Sequence, residues 1–269
     1  MTTVQALILG IVQGVSEFLP ISSSGHLVLL REIMGIEGVP ILFDVLLHVA
    51  TLLVVIIVFR RRIGRILAAI GRGVSRRPTE EDGKNLRVLL GIVVATVATV
   101  IVGLGVSALS IQERPDIVSA LLIVTAAVLV FAYYFGRRRG AGREYGALRL
   151  SDGLVTGFAQ GLGVFPGISR SGITISGALI AGLSREKAGE FAFLVSIPAI
   201  LGALVLTLRD AESLSAAVPL PALILGVVAA FVVGLVSLLL LLRMIKRGRL
   251  HLFAFYLVPA GVLGLIFLR

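Results

Sequence analysis

The chain of 269 residues is 57% hydrophobic, with a mean hydropathy of +1.05. A soluble domain has an apolar share of roughly 45–50%, so a water-soluble globular fold is excluded and lipid is the solvent. The net charge of +10 would suit a nucleic-acid partner in a soluble protein, but here the basic residues stand in runs directly beside apolar segments, as membrane loops do, and nucleic acid is set aside. The absence of cysteine excludes disulfides, thiolate metal sites and cysteine nucleophiles.

In chain order, the first Lys or Arg is Arg31, so the opening apolar run lacks the basic start of a cleavable signal and Met1 reads as the mature start. Residues 4–30 are too polar at their middle, with Glu17, Pro20 and three serines, to form one lipid-facing helix. They are also too few to cross twice, since each crossing of a ~30 Å core takes about 20 residues. A re-entrant hairpin of two half-helices with a buried polar tip satisfies both limits. Spans follow at 41–59, 86–108 and 117–135. A second hairpin is predicted over 151–183, then spans at 187–208, 221–242 and 251–268.

The two hairpins are an internal repeat. Shifting QGVSEFLPISSSGH (Gln13 to His26) by 147 positions lays Gln13 on Gln160, Gly14 on Gly161, Phe18 on Phe165, Ser22 on Ser169, Ser24 on Ser171 and Gly25 on Gly172. Twenty of the 25 Lys and Arg residues fall between Arg60 and Arg87, Arg137 and Arg149, Arg185 and Lys187, and Arg243 and Arg249. By the positive-inside rule these segments are cytoplasmic and both termini lie outside. The first hairpin then enters from outside and the second from the cytoplasm. The expected fold is an all-α integral membrane protein, one polytopic domain over 1–269. It is an inverted-topology repeat of two halves (about 1–136 and 150–269), each a re-entrant hairpin plus three transmembrane helices.

The copies differ where chemistry resides: Glu17 faces Val164, Ser23 faces Arg170 and His26 faces Ile173. Ionisable groups inside a membrane cost about 2.5–3.5 kcal/mol each on insertion scales, so two charged tips call for a function. Arg170, flanked by Ser169 and Ser171 with Thr174 one turn on, offers a guanidinium fork and hydroxyl donors for phosphate oxygens, at the start of a half-helix whose dipole favours an anion. Glu17 suits a general base or a divalent-cation ligand, and Gln13, one turn earlier on the same face, lends a carbonyl oxygen. Ser22, Ser23 and Ser24 supply hydroxyls, and His26 suits proton transfer or nucleophilic attack. Acid, imidazole, hydroxyls, guanidinium and metal together describe a phosphatase acting at one site built from both tips.

These motifs resemble those of the undecaprenyl-diphosphatases, the bacitracin-resistance proteins. QGVSEFLPISSSGH is similar to the family's first signature and PGISRSGIT to its second, and the likeness extends through GLSREKAGEFAFLVSIP. The resemblance implies removal of the terminal phosphate of undecaprenyl diphosphate, which returns undecaprenyl phosphate to cell-wall synthesis. It also implies a divalent cation, Mg2+ or Ca2+, and catalysis at the outer face of the plasma membrane. By position, Gln13 and Glu17 match the family's acidic pair, and Ser23 and His26 its nucleophile or proton-transfer positions. Ser169, Arg170, Ser171 and Thr174 match its phosphate-binding motif. The chain departs at Gln13, where some members carry Glu, so the charge for a cation falls on Glu17.

Plainer roles stand beside these. Ser22 and Ser24 also suit helix caps; Gly14, Gly25, Pro20, Pro166 and Gly167 suit the turns; His48, one turn from Asp44 at a spacing that could bind a metal or line the cavity, reads first as packing or support behind the site. Glu190 reads as an acid near a helix start and His251 as interfacial. Ser23 and His26 rank equally as nucleophile, with water activated by Glu17 as a third route. The rival class is a lipid-phosphate flippase or anion transporter using the same inverted-repeat site. The expected partners are a polyprenyl diphosphate and the membrane lipids, with a homodimer compatible and nucleic acid excluded.

Overall fold

The computed structural model describes residues 1–36, 39, 41–75, 79–108, 114–138, 140–210 and 218–267. Among them there are ten α-helices and no strand. The first half holds α1 (Thr3–Phe18), α2 (Ser23–Met34), α3 (Ile41–Val74), α4 (Glu80–Ala108) and α5 (Pro115–Arg138). The second holds α6 (Leu150–Leu162), α7 (Arg170–Ala181), α8 (Arg185–Asp210), α9 (Leu220–Lys246) and α10 (Ala254–Phe267). Helices α3, α4, α5, α8 and α9, and the segment ending in α10, are long and apolar enough to cross a membrane. At 1.5 Å per residue the arms α1, α2, α6 and α7 reach only about 18–24 Å, short of a ~30 Å core, and so pair as hairpins.

The spans at 41–59 and 86–108 are longer than their hydropathy indicates. Helix α3 continues through the basic run to Val74 and α4 begins at Glu80, so most of the stretch expected as a linker is helix. Arg, Leu and Ala are good helix formers, and the extensions are pinned: Arg72 clasps Asp82 at 2.6 Å, and Arg62 bonds Asn85 at 3.1 Å and Glu190 at 3.2 Å. Hydropathy reports where lipid ends, which is not where the helix ends.

Two small-residue seams hold the halves together. Gly10 and Gly14 of α1 lie against Gly226, Ala230 and Gly234 of α9, so close that a Cβ on Gly10 would overlap the Gly226 carbonyl. Gly157 and Gly161 of α6 meet Ala95 and Gly103 of α4 in the same way. The two seams share one register: Gly157 and Gly161 are the repeat mates of Gly10 and Gly14, and in each seam the paired helices run parallel. In lipid, backbone approach and van der Waals contact replace the hydrophobic drive. Accordingly α4 buries Gly91, Ala95, Thr99 and Gly103 and exposes Val93, Val97, Ile101 and Leu104.

The basic segments gather at one end. Arg62 of α3 reaches Glu190 of α8, Lys246 of α9 pairs with Glu186 at 3.3 Å, and Arg62 and Lys187 lie 4.5 and 5.2 Å from the Tyr145 ring centre. Burial pushes the Tyr145 phenol well above its usual range, so the ring stays a neutral platform for both cations. At the far end Arg31 of α2 pairs with Asp44 at the start of α3.

Candidate active site

The chain breaks each hairpin with local chemistry. After α1 the backbone turns at Leu19–Ser22, and after α6 it turns through Pro166 and Gly167, where φ is +93°. Ser22 caps α2 and Ser169 caps α7, each hydroxyl accepting the N–H three residues on, from Gly25 at 3.3 Å and Gly172 at 3.1 Å. Both are buried and serve as caps at matching places in the repeat. Ser22 has φ +72°, uncommon for a residue with a Cβ; its carbonyl takes two hydrogen bonds from His26, backbone N at 3.1 Å and Nδ1 at 2.8 Å, which help hold the turn.

The tips touch. A Cβ added to Gly25 would stand 3.1 Å from Gly167 Cα, and one added to Gly172 would stand 3.0 Å from Pro20. This contact brings Arg170 Nη1 to 3.8 Å from Glu17 Oε1 across 153 positions of sequence. The other carboxylate oxygen, Glu17 Oε2, accepts Ser23 Oγ–H at 2.6 Å and Gln13 Nε2–H at 3.1 Å, with His48 Nε2 at 3.9 Å. Glu17 is therefore ringed by a guanidinium, a hydroxyl, an amide and an imidazole while its side chain is only 9% exposed.

The remaining expected ligands divide. Ser171 Oγ lies 3.2 Å from Ser169 Oγ and donates a long 3.5 Å bond to the Leu19 carbonyl, which leaves it free to turn to a ligand. Thr174 lines the cavity beside Glu17 and Arg170 with its hydroxyl donating to the Arg170 carbonyl at 2.6 Å. Ser24 is exposed. His26 turns the other way: a carbonyl can only accept, so Nδ1 donates to Ser22 and Nε2 accepts the Tyr256 hydroxyl of α10 at 2.6 Å, the rings stacked 5.6 Å apart.

Several cavity residues escape a reading of the tips alone. His48 donates from Nδ1 to the Asp44 carbonyl at 2.9 Å, which holds its Nε2 3.9 Å from Glu17 Oε2. Its sequence signal is a histidine one turn from Asp44 within an apolar span. Gln160 lines the cavity and donates to Thr99 at 3.2 Å and to the Val195 carbonyl at 3.4 Å, close to the hydrogen bond that Pro198 deletes. The repeat does flag it, as the mate of Gln13. Thr125 of α5 clamps the second tip, donating to the Gly167 carbonyl and accepting the Ser169 N–H, both at 3.1 Å. Thr125 and Tyr256 carry no local signal, because only packing brings α5 and α10 to the tips.

The donor set fits a hard cation. Gln13 is fully buried and its Oε1 has no hydrogen-bond partner, although its Nε2 is bonded to Glu17. That oxygen and the Glu17 carboxylate are the hard donors of the first tip. No cluster of three or more His, Asp or Glu able to hold a metal occurs among the described residues, so phosphate oxygens and water would complete the shell, as is usual for Mg2+. From Arg170 the cavity opens between α3 and α8, past Asp44 and His48 and the apolar Val45, Val49, Ile200 and Leu204.

Residues 6–263 match the family described as bacitracin resistance protein BacA. A Treponema denticola protein named undecaprenyl-diphosphatase is 47% identical over 97% of this chain and 96% of its own length. Proteins of the same name from Desulfosudis oleivorans and Korarchaeum cryptofilum are 42% and 40% identical, over 97% of this chain and 97% and 98% of theirs.

Proposed function

The chain belongs to the bacitracin resistance protein BacA family, and from that membership and the joined tips we infer that the diphosphate is cleaved between Glu17, Ser23 and Arg170. The protein is a multi-pass membrane phosphatase. It hydrolyses undecaprenyl diphosphate to undecaprenyl phosphate and inorganic phosphate, the step that recycles the carrier for cell-wall synthesis and underlies bacitracin resistance.

The observation that carries the mechanism is the 2.6 Å bond from Ser23 to Glu17. A hydroxyl within reach of a carboxylate, itself oriented by Gln13, has the geometry of an activated nucleophile. Glu17 takes the Ser23 proton, Oγ bonds to the terminal phosphorus, and the bridging P–O bond breaks to release undecaprenyl phosphate. The departing phosphate takes that proton from Glu17; water, deprotonated by the carboxylate so restored, then cleaves the phosphoseryl bond as Ser23 Oγ regains a proton from Glu17. Arg170, now 3.8 Å from Glu17, exchanges that partner for phosphate oxygens as substrate enters, and Ser171 with the two helix starts adds donors to the same anion. His26 favours Ser23 as nucleophile by its own placement, because both ring nitrogens are engaged elsewhere. A divalent cation, Mg2+ or Ca2+, would be held by Glu17 and Gln13 Oε1 and would offset charge on the phosphates.

The prenyl chain leaves along the apolar wall of α3 and α8. The inverted topology is supported by the gathering of basic segments at one end, where the later part of α3 meets the start of α8. It makes one membrane domain of two halves, with both termini outside. The cavity mouth at Asp44 and His48, near the start of α3, lies toward the end opposite those basic segments, which favours an outward-facing site. Phosphate release from undecaprenyl diphosphate by purified protein, lost on chelation and in Glu17→Ala or Arg170→Ala, is the expected result. Substrate movement in vesicles without phosphate release would support a carrier instead. Because the chain has no cysteine, Ile36→Cys and Gly73→Cys test topology: labelling from the same side of the membrane overturns the orientation.

A further inference from the structure

Away from the tips, one recess is built of two complementary parts. Its mouth is lined by Arg137, Arg185, Arg247 and Arg249, with Tyr133 and His251 among them. It shares Tyr133, Arg137, Arg185 and Gly248 with an adjoining recess lined by Leu129, Leu179, Leu183, Ile245 and Leu250. The first part is cationic and the second apolar.

Arg137 closes α5 and Arg247 caps the end of α9, where the helix dipoles favour a cation, whereas Arg185 is placed against its dipole. Arg185 is the first residue of α8, where the helix dipole disfavours a cation. Its guanidinium lies against Gly248, where a Cβ would stand 2.6 Å from Cζ, and Gly248 itself has φ +66°. Among the described residues none of the four arginines has a carboxylate partner, while the adjacent Lys246 and Glu186 are paired. His251 lies tilted against Tyr133, ring centres 3.8 Å apart, and buries an Nδ1 that has no hydrogen-bond partner. Four unpaired guanidinium groups at one mouth call for an anion, and phosphate is the anion whose oxygens match their forks. Free phosphate would leave the apolar recess empty; an amphiphile fills both parts.

We propose that this recess is a binding site for an anionic phospholipid, the phosphate held among Arg137, Arg185, Arg247 and Arg249 and the first acyl carbons laid against Tyr133 and Leu179. Such a lipid ties together the ends of α5, α8 and α9 at the basic end of the bundle, and α8 runs from there to the Ile200 wall of the catalytic cavity. The site shares no residue with the catalytic machinery, so it stands or falls apart from the hydrolase reading.

Full-length protein in micelles holding equal amounts of phosphatidylglycerol and phosphatidylcholine, measured by native mass spectrometry, tests this. The parent is expected to retain phosphatidylglycerol in preference. Surface arginines contribute about fivefold each to anionic-lipid binding, so Arg185→Gln with Arg247→Gln should lower that retention about 25-fold. The double Lys variant keeps the charge, loses the forks and should fall between; it carries the test if the Gln pair fails to fold, as judged by retained phosphatase activity. Equal retention of the two lipids, or unchanged retention in the variants, overturns the proposal. So does equal thermal protection by millimolar inorganic phosphate and by phosphatidylglycerol, which would make the recess a site for the free ion.

Discussion

Replacing Ser23 with alanine separates a nucleophile from a supporting hydroxyl by magnitude. In the structure Ser23 Oγ makes one contact of consequence, the 2.6 Å bond to Glu17 Oε2. If that hydroxyl only steadied the carboxylate, its removal would cost the worth of a hydrogen bond to a charged group, about 1.5–3 kcal/mol. At ~1.4 kcal/mol per decade that is a loss of roughly 10- to 150-fold. If Oγ is the attacking atom, kcat should fall by about 10³-fold or more, because loss of a nucleophile leaves only what binding and electrostatics retain. KM should change little, since Arg170 and Ser171 are untouched. The assay is phosphate release from undecaprenyl diphosphate in detergent, paired with acid quenching of the parent enzyme during turnover of substrate labelled in the terminal phosphate. Label recovered on Ser23 and a loss beyond about 10³-fold agree with the mechanism. A Ser23→Ala enzyme within about 100-fold of the parent rate would refute it and move the attack to water.

Arg170→Lys keeps a charge but not the fork, and at a phosphate site should cost at least about tenfold in kcat/KM, read from initial rates over a substrate series. Gln13→Leu removes the unpartnered buried oxygen and should raise the Mg2+ or Ca2+ concentration giving half-maximal activity; Gln13→Glu should lower it, and identical metal titrations would remove Gln13 from the cation site. Gly10→Ala forces a Cβ onto the Gly226 backbone and should destabilise by about 1–3 kcal/mol, measured as a lowered melting temperature in detergent. Gly64→Ala, with nothing within 4 Å of the added atom, should instead stabilise α3 by roughly 0.5–1 kcal/mol, the helix propensity gain.

Much of the architecture was legible because lipid imposes strict conditions on a chain. Apolar runs had to be helices, short polar-centred runs had to be hairpins, and a repeat at one fixed shift implied two like halves. The gathering of Arg62, Lys187 and Lys246 around α8 follows the basic runs read from sequence. The site was less legible. Ser22, Ser23 and Ser24 are equivalent as residue types, yet one caps a helix, one bonds Glu17 and one is exposed. At about 100° per residue, neighbouring side chains on α2 point in three directions, and the strained turn at Ser22 sets which one meets Glu17.

From its residues alone the chain determined its solvent, its helices and the chemical inventory of each tip, because hydropathy, length and charge act locally or along one helix. Tertiary structure decided who meets whom: Arg170 against Glu17, His48 behind it, and His26 drawn 230 positions away to Tyr256. Such pairings arise from helices approaching over glycine until their backbones touch. That distance is set by both partners together and is written in neither.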